Sequence, residues 1–343
     1  MSWPAPGRPR CLMADVVRPE VLRRPAPAIL TILVLAAVYW ASARIGLLDQ
    51  VVIAGTVVTP LWPPTGIALS SLLLLGLWTW PGIALGTALV IATLTRPDLA
   101  ALGVIAGNTL APVCSCLMLR RAGFRVELDR LRDGVALVVL GAFTGMVISA
   151  TLGSGTQVLT DQLPPEDFWR AWAAWWVGDA MGILVITPLV LALRHIRRPQ
   201  YVLTARWAEA AALMAASVVV SLVAVKSDIS LLFLVFPMIV WAALRFQLAG
   251  AAPCVLIMSV LAISSAISRS GPFRGRSLLS AMINLQALNA SAALTALLLS
   301  AVVTEQNAVR RKIELACREL AEVVDRLAPG ESRRRWPPDD GPR

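Results

Sequence analysis

Apolar runs separated by short polar segments set the character of this chain from about residue 26 onward. A bilayer core about 30 Å thick takes about 20 apolar residues per helix. Runs of that order fall at 26–47, 61–78, 80–95, 98–119, 134–153, 168–193, 207–225, 230–246, 248–268 and 279–303. They predict ten helices. The second and third runs are short and meet at a Trp80-Pro81 corner, so a merged or re-entrant pair would reduce the number of crossings to eight. The expected fold class is all-α, a polytopic transmembrane helical bundle of about 8–10 helices with a short cytoplasmic C-terminal helix. Four parts follow along the chain: an Arg-rich cytoplasmic segment at 1–25, an integral membrane domain at 26–303, a charged helix at 304–328 and a polar tail at 329–343.

Composition agrees with the pattern. Hydrophobic residues make up 57% of the chain and charged residues 15%, and the mean hydropathy is +0.71; a soluble domain of this length does not look like this. The net charge of +10 does not point to nucleic acid, because the arginines lie between apolar runs rather than on one aromatic-interleaved face. Their distribution is a topology signal. Arg8, Arg10, Arg18, Arg23 and Arg24 precede the first run, Arg120 to Arg132 follow the fourth, Arg194 to Arg206 follow the sixth, and Arg310, Arg311 and Lys312 follow the last. All four groups are cytoplasmic if both termini are, which places the protein in a bacterial inner membrane. The opposite loop at 154–167 is acidic, whereas Arg269, Arg274 and Arg276 run against the pattern. A signal-peptide-like start with Ala41-Ser42-Ala43 is outweighed by an apolar stretch that continues to Leu48. The five cysteines show neither a disulfide framework nor zinc spacing, and His195 is the single histidine. No metal or cofactor is expected.

Four patches carry more than hydrophobicity. Leu61 to Gly86 opens with Trp62-Pro63-Pro64, prolines suited to a helix start, and Gly66 permits close helix contact. Phe168 to Leu189 carries tryptophans at 169, 172, 175 and 176 ahead of Asp179. A carboxylate inside an apolar helix costs about 2.5–3.5 kcal/mol on insertion scales, so it faces a partner, water or a ligand; a functional role and a purely structural polar lock both fit. In the third patch Pro237 can kink a helix and Arg245 can snorkel from its end; Arg245 is also a candidate partner for Asp179. In the fourth, GPF is followed by Asn284, Gln286 and Asn289, amides that, like Asn108, commonly bond neighbouring helices.

WPPTGIALSSLLLLG, GNTL, WWVGDAMGILVITPL, FPMIVWAALRF and GPF, in this order over residues 30–305, resemble the recurring blocks of the membrane-associated sensor domain of the first type, found at the N-terminus of bacterial histidine kinases and diguanylate cyclases. The resemblance implies an integral membrane sensor of about eight helices. Its blocks supply the candidate signal-sensing residues: Trp62, Pro64, Asn108, Trp176, Asp179 and Arg245.

Beyond Val303, Ile313, Leu320 and Leu327 recur every seven residues with Ala316 and Val323 between them, the a/d seam of a parallel homodimer. The polar tail offers no GGDEF-like loop, glycine-rich ATP segment or phosphoacceptor helix, and His195 lies at a helix end, so the chain reads as non-enzymatic. It is expected to sense a ligand or membrane partner in the lipid bilayer and to relay a helix-packing change to a separate histidine kinase, diguanylate cyclase or other regulator. A transporter of a small solute is the alternative, although no two-fold repeat is visible in the sequence.

Overall fold

The computed structural model describes residues 25–49, 51–53, 56–94, 98–195, 204–227, 231–275 and 278–327; the Arg-rich 1–24 and the tail beyond 327 lie outside them. It is helical apart from a small antiparallel hairpin of β1 (Val51–Ile53) and β2 (Thr56–Val58), paired Val51 to Val58. The helices are α1 (Pro25–Gly46), α2 (Pro63–Leu74), α3 (Trp80–Leu94), α4 (Leu99–Arg121), α5 (Leu131–Leu159), α6 (Phe168–His195), α7 (Thr204–Lys226), α8 (235–246), α9 (248–267) and α10 (Leu278–Leu327).

The alternatives of eight and ten both have a physical origin. Eight elements among the described residues are long and apolar enough to cross a membrane, and Pro63–Leu74 is an apolar helix too short to do so. The second short arm is α8. It leads into α9 without an intervening loop, but Gln247 between them has φ 54° and ψ −144°. A Cβ on Gly250 would lie 3.2 Å from the Ala242 carbonyl oxygen, whereas residues eight apart in one continuous helix are separated by about 12 Å. The chain therefore turns back at Gln247, where a left-handed φ ends α8 as Gly76 at φ 110° ends α2. Each 12-residue arm carries an aromatic-proline pair at its start, Trp62-Pro63 and Phe236-Pro237, and leads into a longer helix.

In lipid there is no hydrophobic drive between helices, so close van der Waals packing and buried polar contacts hold the bundle. The central element is α6, 72% of whose apolar window is buried inside the protein, against 28% for α1 and α7. Leu30, Leu33 and Ile45 on α1 and Val219 and Val223 on α7 are correspondingly exposed, as a lipid-facing surface requires. Residues Leu137–Thr144 of α5 form a π-helical stretch. Two of its carbonyls take donors from neighbours: Ser115 Oγ donates to Gly141 O at 3.0 Å and Trp176 Nε1 to Phe143 O at 2.8 Å.

Contacts at the helix ends agree with alternating passage of the chain. At one end Arg120 donates to the Leu72 carbonyl at 3.1 Å, Leu131 N–H to Glu305 at 3.2 Å, and Arg245 to Glu209 at 2.6 Å. At the other, Gln162 donates to Asp98, and Ser265 to the Val225 carbonyl at 3.1 Å. The charged helix expected beyond Val303 continues the last apolar run: α10 runs unbroken for 50 residues, about 75 Å, so more than half of it extends beyond a bilayer core about 30 Å thick.

Candidate functional site

Three glycines decide where α2 sits. On α6, Gly178 and Gly182 are four residues apart and face the start of α2; a Cβ on Gly178 would come 2.5 Å from Thr59 O, and one on Gly182 would press into Trp62 O and lie 2.9 Å from Trp62 C. A Cβ on Gly66 of α2 would meet Gly182 O and, at 2.6 Å, Ile186 Cβ. Backbone thus lies on backbone, the small-xxx-small arrangement of membrane helices. Two cross-helix hydrogen bonds use that proximity: Trp62 N–H donates to Gly178 O at 3.1 Å and Thr187 Oγ1 to Gly66 O at 3.2 Å. The close approach anticipated at Gly66 is present.

Asp179 sits within this contact, fully buried, eleven residues into α6 and so about 17 Å along its axis. Thr65 Oγ1 donates to Asp179 Oδ1 at 2.9 Å and Ser149 Oγ to Oδ2 at 2.5 Å. The first donor is in the opening turn of α2, so the carboxylate also lies at a helix N-terminus, the end that favours negative charge. Both hydroxyls have a second acceptor, Trp62 O at 3.1 Å for Thr65 and Met146 O at 3.1 Å for Ser149.

A cavity of about 150 Å³ opens beside the carboxylate. Its walls come from the C-terminal halves of α1 (Tyr39) and α3 (Thr87, Val90), the N-terminal half of α4 (Asn108), the irregular segment between β2 and α2 (Thr59, Trp62) and α6 (Trp175, Asp179). These helix halves all lie toward the end opposite the arginine contacts. The cavity is below the roughly 300–1,000 Å³ of sites for drug-sized ligands and comparable to an engineered cavity that holds benzene.

The structure brings together Trp62, Asn108 and Asp179 from the six sequence candidates. Pro64 is buried in the first turn of α2, shaping the wall from behind. Trp176 is displaced: its indole is committed to Phe143 O and its ring stacks on Trp172, with centroids 5.8 Å apart, while Trp175 takes the lining position. The suggested pairing of Arg245 with Asp179 is corrected, because Arg245 ends α8 and pairs with Glu209 on α7. None of the ion pairs found among the described residues involves Asp179. Of the amides, Gln286 joins elements as expected, donating to Pro60 O at 2.8 Å, whereas Asn284 bonds within its own helix to Ser280 O. Sequence reading missed Thr65, Ser149, Tyr39, Thr87 and Trp175. Only Thr65 and Trp175 lay within a patch already singled out.

The fold and this site define a polytopic α-helical membrane protein with a small-molecule-sized cavity built around one buried carboxylate. The chain belongs to the MASE1 family, whose model matches residues 31–307, and that stretch is accordingly a membrane-associated sensor domain. No curated protein and no solved structure matches the chain.

Proposed function

We propose that this chain is a sensory input module in which a ligand held at the Asp179 cavity shifts the packing of α2 on α6, and α10 carries the shift to a separate cytoplasmic output protein. A histidine kinase, a diguanylate cyclase or another regulator would fill that role. The observation that carries the proposal is Gln286, which reaches from α10 to the Pro60 carbonyl. Pro60 lies between Thr59 and Trp62, two walls of the cavity. Movement of that segment is therefore transmitted directly to a helix about 75 Å long. The arginine distribution supports both ends of the chain on the cytoplasmic side of a bacterial inner membrane, with the cavity in the outer half.

The test compares tagged protein with a version lacking residues 304–343 in mild detergent. A kinase, cyclase or regulator that co-purifies only with the full chain supports the proposal. A transporter remains the second reading, favoured by α2 itself, a half-length helix whose N-terminus starts at depth beside a carboxylate. Solute uptake abolished by Asp179→Asn, with no tail-dependent partner, would replace the sensor reading.

Signal output through α10 also requires a partner for its exposed apolar stripe. Ile313, Leu320 and Val323 are exposed, Ala316 lies between them, and exposed Val309, seven residues before Ala316, extends the seam by half a heptad; Leu327 closes the helix. A parallel homodimer buries this stripe. In a chain with its native cysteines replaced, Ala316→Cys is expected to form a disulfide-linked dimer in membranes under mild oxidation, and Arg318→Cys, on the outer face, to give little. Equal crosslinking at both positions would exclude the seam.

A further inference from the structure

From the chemistry of its walls, we infer that the Asp179 cavity binds a small organic cation, such as a quaternary or protonated amine of about seven non-hydrogen atoms; this rests on the cavity being the ligand site proposed above. Charge comes first. Among the described residues, Asp179 is the only carboxylate on the walls, no Lys or Arg lines them, and no ion pair neutralises it. Each carboxylate oxygen accepts one hydroxyl and the Trp175 indole is a third donor, which leaves about one of its four lone-pair positions for a ligand. A bound cation would supply the missing charge at a depth where an uncompensated carboxylate is expensive.

The walls also exclude the opposite charge. A helix N-terminus ordinarily offers free N–H groups to an anion, but α2 begins with Pro63 and Pro64, which have none. Trp62 N–H is spent on Gly178 O and Thr65 N–H on Trp62 O. The remaining walls suit a cation with an apolar shell: Tyr39, Trp62 and Trp175 line the same space, and aromatic rings attract cations through their quadrupole, most strongly where water is excluded. Asn108, Thr59 and Thr87 supply polar atoms for one further substituent. The cavity volume of about 150 Å³ sets the size, since a cavity of that order holds benzene.

The test uses the full chain in nanodiscs and follows its thermal melt with choline, with the uncharged isostere of choline in which carbon replaces the quaternary nitrogen, and with sodium chloride at matched ionic strength. A ligand that binds only the folded state stabilises it by RT ln(1 + L/Kd) at free ligand concentration L, so the melt keeps rising with the logarithm of ligand concentration above Kd. Choline is expected to stabilise the protein with an apparent affinity at least about tenfold tighter than the isostere. Asp179→Asn should remove that difference while leaving the weak response to the isostere. Trp175→Leu should weaken choline more than the isostere, and serves as the second variant should Asp179→Asn fail to accumulate. Equal binding of choline and isostere overturns the cation assignment but leaves the cavity as a ligand site. Absence of any shift with choline, tetramethylammonium and methylguanidinium also overturns it. A tail-dependent output partner captured from the same protein would then show that the sensor reading stands without it.

Discussion

Gly182→Ala is expected to destabilise the protein by about 3 kcal/mol, the upper end of the range for an overpacked core, and Gly182→Val to prevent accumulation of folded protein. The added Cβ would press against the Trp62 carbonyl and lie 3.3 Å from Thr65 Oγ1. Backbone cannot rotate aside as a flexible side chain can. The start of α2 would have to lift from α6, and the hydrogen bonds Trp62 to Gly178 and Thr65 to Asp179 would lengthen together. Gly155→Ala is the matched control, because its Cβ would meet nothing within 4 Å. Removing a glycine from a helical position where the added Cβ meets no neighbour gains up to about 1 kcal/mol. The same chemical change should therefore have opposite signs at two positions, read from melting curves and from the monodisperse fraction on size exclusion. If both variants behave alike, the backbone contact of α2 with α6 does not hold the site together.

That contact also shows why parts of the site were legible and parts were not. Helix positions were readable because lipid imposes length and hydropathy on every crossing. The break at 247 was readable because Arg245 and Gln247 interrupt an apolar run. Asp179 announced itself by its cost inside a membrane. Ser149 could not, since a serine in an apolar helix ordinarily bonds a carbonyl of its own preceding turn, and Ser149 retains that option with Met146 O. Its bond to Asp179 spans 30 residues of sequence and that of Thr65 spans 114, so only the tertiary fold reveals them. Trp175 and Trp176 precede Asp179 by four and three residues, and both spacings place a side chain on its face of the helix. Phase alone could not choose between them. Phe143 and Trp172 decide it by engaging Trp176, and Trp175 packs over Gly153, whose Cβ would lie 2.6 Å from its ring. Arg245 was misassigned to Asp179 because sequence gives charge but not depth; it ends its arm opposite Glu209, away from the half of the bundle that contains the cavity.

Asp179→Asn is expected to abolish the ligand response of the protein while leaving its melting temperature within about 2–4 °C of the native value, equivalent to about 1 kcal/mol for a domain of 150–250 residues. The two opposing contributions are comparable. Removing the charge relieves an insertion cost of about 2.5–3.5 kcal/mol. Against this, hydrogen bonds to a charged group, about 1.5–3 kcal/mol each, are exchanged for neutral ones worth about 0.5–1.5 kcal/mol. The exchange is softened because Thr65 and Ser149 can turn to Trp62 O and Met146 O, each 3.1 Å away. That outcome would assign the carboxylate to what it binds rather than to the fold. A structural polar lock would behave differently. Asp179→Asn would then lower the melt by about 10 °C or more, and the losses from Thr65→Val and Ser149→Ala would fail to add to it, because all three substitutions would break one shared network. Measuring the melt and the ligand response on the same three variants separates these roles: a silent melt with a lost response assigns Asp179 to the ligand, and a collapsed, non-additive melt assigns it to the fold.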